Sequence, residues 1–519
     1  MSTYMISLMT YRDLRHEQAP AAAGSPTPKD GLPLELPRLI NSVILPGFVG
    51  TTAPPWLVGA LDNGLAGVVY FSHNIEADAP GQVASLSAAI RAANPDAVIG
   101  VDEEGGNVTR LQSRDGSGIP GAAVLGALNE VKTTEAAGRA IGRLCRDAGI
   151  NLTIAPVADV NTNPRNPVIG VRAFGADTAL VSAHTAAAVT GIQSLRVAAC
   201  AKHFPGHGDT IADSHMDVAR VELSMEEMRQ HHLPPFRAAV EAGVAAMMSA
   251  HIIIPELGEA PATLNPAASA LLREMGFAGV LITDALDMAA VRATVGPGEG
   301  AVLALLAGND LLCVGNPLNA YTTGRDDESC YTEVYDALFA AVVSGRLSVE
   351  ILRRAGARVQ ALARWSAGEI SQNADDAVTW VSVAARACRT DSLGAKPVLA
   401  GAGSVTLIDA RTGHNMAAGP TGNFLATALG GYGVTVIGSD ALTESQLHAA
   451  QSEGAVLVLV DSLSSPEQLA SLAKILAAAP QAICINAGLA PDTPASFAAI
   501  HCHGFSRVTA RAVVSLLER

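Results

Sequence analysis

The chain has 519 residues, 49% of them apolar and only 16% charged; that excludes a disordered chain and leaves ample material for a core without a disulfide or metal staple. Its formal net charge of −15 argues against a nucleic-acid partner, whose phosphates need a basic footprint, and gives no affinity for an anionic membrane. The mean hydropathy of +0.28 comes from dispersed Ala, Val and Leu, with no clean apolar run of about 18 residues that could span a bilayer.

Residues 1–34, rich in Pro, Ala and Gly, read as a disordered lead. They lack a basic segment followed by a long apolar one, so a cytoplasmic protein is expected. The seven scattered cysteines form no CxxC pair and read as reduced thiols, in keeping with a reducing compartment.

From residue 39 short apolar runs alternate with longer helical stretches. The runs are 39–45, 67–71, 97–102, 151–157, 197–202, 244–250, 279–284 and 310–314. Nearly continuous apolar character is what parallel strands covered on both faces require. Between them, Ser224 and Glu227 form a capping box, and Gly149, Gly243 and Gly276 follow helical runs where a left-handed cap is wanted. Eight strand–helix units predict a (β/α)8 TIM-type barrel over residues 35–365, with a doubly wound open sheet as the alternative. Residues 366–390 read as a helix and linker. The alternation then restarts with runs at 404–410, 434–438, 456–461 and 482–486, which predicts a smaller C-terminal α/β domain over 391–519.

In a barrel, reactive groups project from the C-terminal ends of the strands. Five of the eight runs end in ionisable groups: Asp102-Glu103-Glu104, Asp159, Lys202-His203, His251 and Asp284. The segment KHFPGHGDTIADSHMD, from Lys202 to Asp217, is the densest. It admits two readings. One is a metal site, with His203, His207, Asp209, Asp213 and His215 as ligands, although Pro and Gly make the segment a loop and no thiolate is near. The other is acid/base chemistry. Asp213 and His215 are two residues apart, so an extended loop puts both on one side, and a carboxylate beside an imidazole fixes its tautomer and raises its basicity.

Four motifs in order, VDEEGGNVTRL, NTNPRNPVIGVRAFG, KHFPGHGDT with DSH, and ITDALDM, resemble glycoside hydrolase family 3, in particular its bacterial β-N-acetylglucosaminidase branch. The resemblance spans about residues 37–365. It implies a barrel enzyme, often with a C-terminal α/β sandwich, that cleaves β-glycosides with retention through a covalent intermediate. It implies Asp284 as nucleophile and His215, oriented by Asp213, as acid/base. Asp102 would bind sugar hydroxyls, and Arg110, Arg172, Lys202 and His203 would bind sugar as well. His207, Asp209 and His251 would brace the loops behind them. No metal and no cofactor are implied. The expected partner is a small carbohydrate and the expected assembly a monomer or homodimer. The chain departs from the family pattern in having Glu103 where Gln is frequent, Asn107 where Arg is frequent and Thr283 where Ser is frequent.

The expected activity is release of terminal N-acetylglucosamine from cell-wall fragments or chito-oligosaccharides. A phosphorylase, a β-glucosidase and a sugar-binding or sensor protein are the competing readings.

Overall fold

In the computed structural model, the described residues are 34–210, 219–319, 325–370, 378–394, 398–399, 402–412, 422–443, 446 and 454–519. The expected disordered lead, apart from Leu34, lies outside them.

The fold is α/β. Strands β1 (Ile44–Pro46), β2 (Gly67–Tyr70), β3 (Val98–Val101), β4 (Leu152–Thr153), β5 (Ala198–Phe204), β7 (Ala246–Ser249), β9 (Val280–Thr283) and β10 (Leu312–Gly315) occupy the eight predicted positions. Six pair in parallel in the order β2-β3-β4-β5-β7-β9, and β1 pairs in parallel with β10. A parallel bridge from Ile282 to Leu311 joins the two sheets. Two short segments, β6 (Ala219–Arg220) and β8 (Ile252–Ile253), pair with each other beyond the strand ends.

Alternation along each strand sends residues to two cores. Val68, Ile99, Ala201, Met247 and Leu281 pack outward against the helices. Leu45, Val69, Val98, Leu152, Cys200, Met248, Ile282 and Cys313, one or more from each of the eight strands, converge on a second cluster. Val359, Leu362 and Ala363 of helix Val349–Ser366 close that cluster from below. At this floor the buried Asp310 receives Arg273 at 2.6 Å and Arg358 at 2.8 Å.

The boundaries differ from expectation in instructive places. The run 39–45 is not one strand. Pro37 starts a helix, Leu36–Asn41, and the strand begins only at Ile44. The fourth strand shrinks to Leu152–Thr153, and beyond Pro156, which has no N–H to give a ladder, pairing resumes as a single parallel bridge from Val157 to Lys202. The capping box forms, with Glu227 N donating to Ser224 Oγ and Ser224 N to Glu227 Oε2. Gly149, Gly243 and Gly276 all have positive φ.

A second sheet has the order β11-β16-β15-β14-β12-β13, from Arg389–Asp391 (β11), Ala499–His501 (β16), Ile483–Asn486 (β15), Ala455–Val460 (β14), Ser404–Asp409 (β12) and Gly433–Gly438 (β13). Five strands are parallel and β11 pairs antiparallel to β16. Its two faces bury separate clusters. Leu407, Leu457 and Ile485 pack on helix Arg507–Leu517, and Ile408, Val458 and Cys484 pack on helix Pro466–Ala478. The edge strand β11 and its neighbour β16 escape sequence reading because each is only three residues long. Helix Trp380–Ala387, within the expected linker, packs with Val124, Val508 and Ala512.

Among the described residues, no helix is long and apolar enough to cross a membrane.

Candidate active site

Parallel register brings the C-terminal ends of the strands to one level. Ser249 pairs with both Phe204 and Thr283, so Pro205, Ala250 and Asp284 follow side by side. Asp102 follows Val101, which pairs with Thr153.

A charged cluster fills this end. Lys202 Nζ bridges Asp102 Oδ1 at 2.8 Å and Glu104 Oε1 at 2.7 Å. Arg172 donates to both oxygens of Glu104, at 3.0 and 2.8 Å, and to the Val168 carbonyl at 3.1 Å. Arg110 Nη2 lies 3.6 Å from Asp102 Oδ2. Burial alone would raise the pKa of both carboxyl groups. The cations outweigh it, Lys202 and Arg110 for Asp102, Arg172 and Lys202 for Glu104, and both are held below the usual carboxylate range. Burial would likewise lower Lys202, but Asp102 and Glu104 raise it. The cluster is therefore permanently charged, with fixed donors and acceptors.

Beside it, the fully buried Asp159 organises the loop after β5. His203 Nδ1 lies 2.7 Å from Asp159 Oδ2, and the His207 backbone N–H donates to Asp159 Oδ1 at 2.7 Å. His207 Nδ1 meets Thr210 Oγ1 at 2.8 Å. Burial, with His203 close by, pushes His207 down to about 4, so it is neutral near pH 7. Gly208 is a steric requirement, since a Cβ there would sit 1.8 Å from the Val160 carbonyl oxygen. Asp209 Oδ1 accepts from Thr162 Oγ1 at 2.7 Å.

Asp284 caps β9. Its Oδ1 accepts from Ala285 N at 2.8 Å. His251 Nε2 donates to the Ala285 carbonyl at 2.9 Å and so fixes the turn that carries Asp284. The buried Cys200 thiol, raised chiefly by burial, also feels Lys202, Asp102 and Asp284. Asp284 and the charged cluster thus share one neighbourhood.

Of the residues singled out from sequence, Asp102, Arg110, Arg172, Lys202, His203, His207, Asp209, His251 and Asp284 stand at the strand ends or in the loops that follow them. Asp213 and His215 lie outside the described residues. The segments flanking them are fixed: Thr210 Oγ1 donates to the His207 carbonyl, and Ala219 pairs with Ile252, next to His251. Two organising residues were missing from the site reading, Glu104 and Asp159. Both stand in strand-end motifs of the sequence, but nothing there indicates that one pairs with Arg172 and the other with His203. Among the described residues, no group of three or more His, Cys, Asp or Glu has metal-site geometry.

Glu103 faces the opposite way and is fully buried. Its Oε2 accepts from the backbone of Arg110 and Leu111, each at 3.1 Å, while Oε1 has no hydrogen-bond partner. Burial pushes its carboxyl up to about 7, from 4.5. The folded protein therefore holds a proton that the unfolded chain releases. Stability from this group is full below pH 4.5, falls as pH rises to about 7 and is flat beyond. Glu103→Gln keeps the acceptor and cannot ionise. Relative to the wild type, its stability should rise by about 3 kcal/mol between pH 4 and pH 8, read from denaturant midpoints at both. Parallel curves would show that Glu103 does not titrate in this range.

The sequence model described as "Glycosyl hydrolase family 3 N terminal domain" matches residues 59–362. The chain belongs to glycosyl hydrolase family 3. It is a glycoside hydrolase. A β-hexosaminidase of Stenotrophomonas maltophilia (strain K279a) is 39% identical over 263 residues, 49% of this chain and 77% of that protein. A β-hexosaminidase of Xylella fastidiosa (strain M23) is 34% identical over 339 residues, 60% of this chain and 99% of that protein. The structure of a family 3 β-N-acetylglucosaminidase from Paenibacillus sp. str. FPU-7 superposes with a TM-score of 0.80 at 30% identity, covering 94% of this chain and 97% of that one. The likeness to the Paenibacillus structure thus extends over the second sheet, whereas the Xylella match accounts for only 60% of this family 3 chain.

Proposed function

We propose that this family 3 enzyme is an exo-acting, retaining β-N-acetylglucosaminidase of the cytoplasm, acting on cell-wall fragments or chito-oligosaccharides. Residues 35–365 form its (β/α)8 barrel, 366–390 connect, and 391–519 form a C-terminal α/β sandwich unit. The reading rests on one observation above the rest. The ends of β3, β5 and β9 bring a fixed Asp102–Lys202–Glu104–Arg172 network and the turn-held Asp284 into one neighbourhood.

A carboxylate there suits attack on an anomeric carbon. Asp284 bonds to that carbon as the glycosidic C–O bond breaks, and His215 gives its proton to the departing oxygen. Water then attacks the glycosyl-aspartate, His215 takes back a proton, and Asp284 leaves with its electron pair. Asp102 accepts from substrate hydroxyls, and Arg110 and Lys202 donate to sugar oxygens. An acid and a base acting in turn give a bell-shaped pH profile.

The enzyme should release nitrophenol from nitrophenyl N-acetyl-β-glucosaminide at least roughly tenfold faster than from the β-glucoside, because a site built to hydrogen-bond the acetamido group rejects a sugar lacking it. Proton NMR should show the β-anomer of N-acetylglucosamine first. Added phosphate should change neither rate nor product. Accumulation of the sugar 1-phosphate would instead identify a phosphorylase, and a preference for the glucoside a β-glucosidase.

A further inference from the structure

We propose that the second unit is a positioning brace for substrate binding, acting through Asn107 on the loop that carries Arg110. The proposal rests on the reading of Arg110 and Asp102 as sugar-binding residues.

The loop after β3 is folded tightly on itself. Glu104 N donates to the Val108 carbonyl at 3.0 Å, Val108 N to the Gly105 carbonyl at 3.2 Å and Gly106 N to the Ile119 carbonyl at 2.9 Å. Gly106 lies so close to Gly121 that a Cβ on it would be 2.5 Å from the Gly121 Cα. Such a loop moves as one piece, and whatever holds its tip sets the position of Arg110.

The tip is held by the second unit. Asn107 Oδ1 accepts from the Phe505 backbone N–H at 2.7 Å. Gly504 permits this approach. Its φ is +152°, and a Cβ there would come within 3.0 Å of Asn107 Oδ1. The loop's far arm is held by the same segment, with Val508 N donating to the Ser117 carbonyl at 3.2 Å. Phe505 is itself fixed. The Arg411 guanidinium lies 4.4 Å over its ring and is locked by Asp409 at 2.8 and 2.7 Å. Beneath the contact, Val508 and Ala512 pack on Val124 of the first unit. Residues 504–512 thus grip the loop on both sides of Arg110, whose 3.6 Å approach to Asp102 leaves little margin for displacement.

The test compares Asn107→Leu, Asn107→Asp and Arg110→Ala in the full-length enzyme by kcat, KM and melting temperature. Asn107→Leu should raise KM about tenfold with kcat within about threefold of the wild type. Asn107→Asp keeps the acceptor and should restore KM. On an Arg110→Ala background, Asn107→Leu should add little, as expected of residues acting through one another. Wild-type KM in Asn107→Leu, whether or not the melting temperature falls, overturns the brace. Wild-type KM in Arg110→Ala overturns the reading of the sugar site itself. If Asn107→Leu does not fold, Gly504→Ala decides by the same KM criterion, because its Cβ would crowd Asn107 Oδ1 from the second unit's side and leave the β3 loop's own sequence unchanged.

Discussion

Asp284→Asn is expected to reduce turnover roughly 10⁴-fold or more while leaving the fold intact. The amide is isosteric and still offers an oxygen to the Ala285 N–H, the contact that orients Asp284 at the end of β9. What it loses is the negative charge that stabilises an oxocarbenium-like transition state, and the electron pair that then bonds to the anomeric carbon. Substrate affinity should change little, since Asp102, Lys202 and Arg172 hold one another without help from Asp284. The check is steady-state kinetics alongside an unchanged melting curve. A 2-fluoro-sugar should label the wild type on the peptide containing Asp284 and leave the variant unlabelled. Labelling on any other carboxylate would reassign the nucleophile.

Glu104→Ala should damage stability and binding together. Glu104 is the anion shared by Arg172 and Lys202, and all three side chains are at least nine-tenths buried. Removing it leaves two cations in the interior, Lys202 with Asp102 in contact and Arg172 with only the more distant charges of Asp102 and Asp159. Breaking a buried pair in this way costs about 3–5 kcal/mol, far more than a surface pair. Released from Glu104, Lys202 keeps only Asp102 and Arg172 only the Val168 carbonyl to position it. Catalytic efficiency should therefore fall about 100-fold as well, mainly through KM. Denaturant unfolding and KM measured on one preparation test both halves. A stable variant with normal KM would mean the network is ornamental. Glu104→Gln keeps the shape without the charge and separates packing from electrostatics.

Much of this was legible in the sequence. Eight apolar runs marked the eight strand positions of the first unit, because strands buried on both faces cannot carry charge without losing core. The same economy made the strand ends conspicuous, so position marked Asp102, Lys202 and Asp284 as strand-end groups, and the family resemblance supplied their expected roles. Pairing was not legible. That Glu104 belongs to Arg172, 68 residues away, or Asp159 to His203, 44 residues away, depends on register and curvature that no local pattern encodes. The strand at 39–45 failed for a local reason, since Pro37 opens a helix within an apolar run that either element could use. Asn107 looked like a loss relative to the family pattern. Its partner, the Phe505 backbone, lies 398 residues further along the chain, where no sequence motif points to it.

The floor of the first sheet has a consequence of its own. Asp310, gripped by Arg273 and Arg358, and the plug formed by helix Val349–Ser366 stand at the opposite pole from Asp284. The ion pairs that hold this floor are therefore separate from the network beside Asp284, and short strands join the two. Heat tolerance can be tuned by substitutions around Asp310 without retuning turnover, and sugar preference can drift in the loops above without loosening the plug.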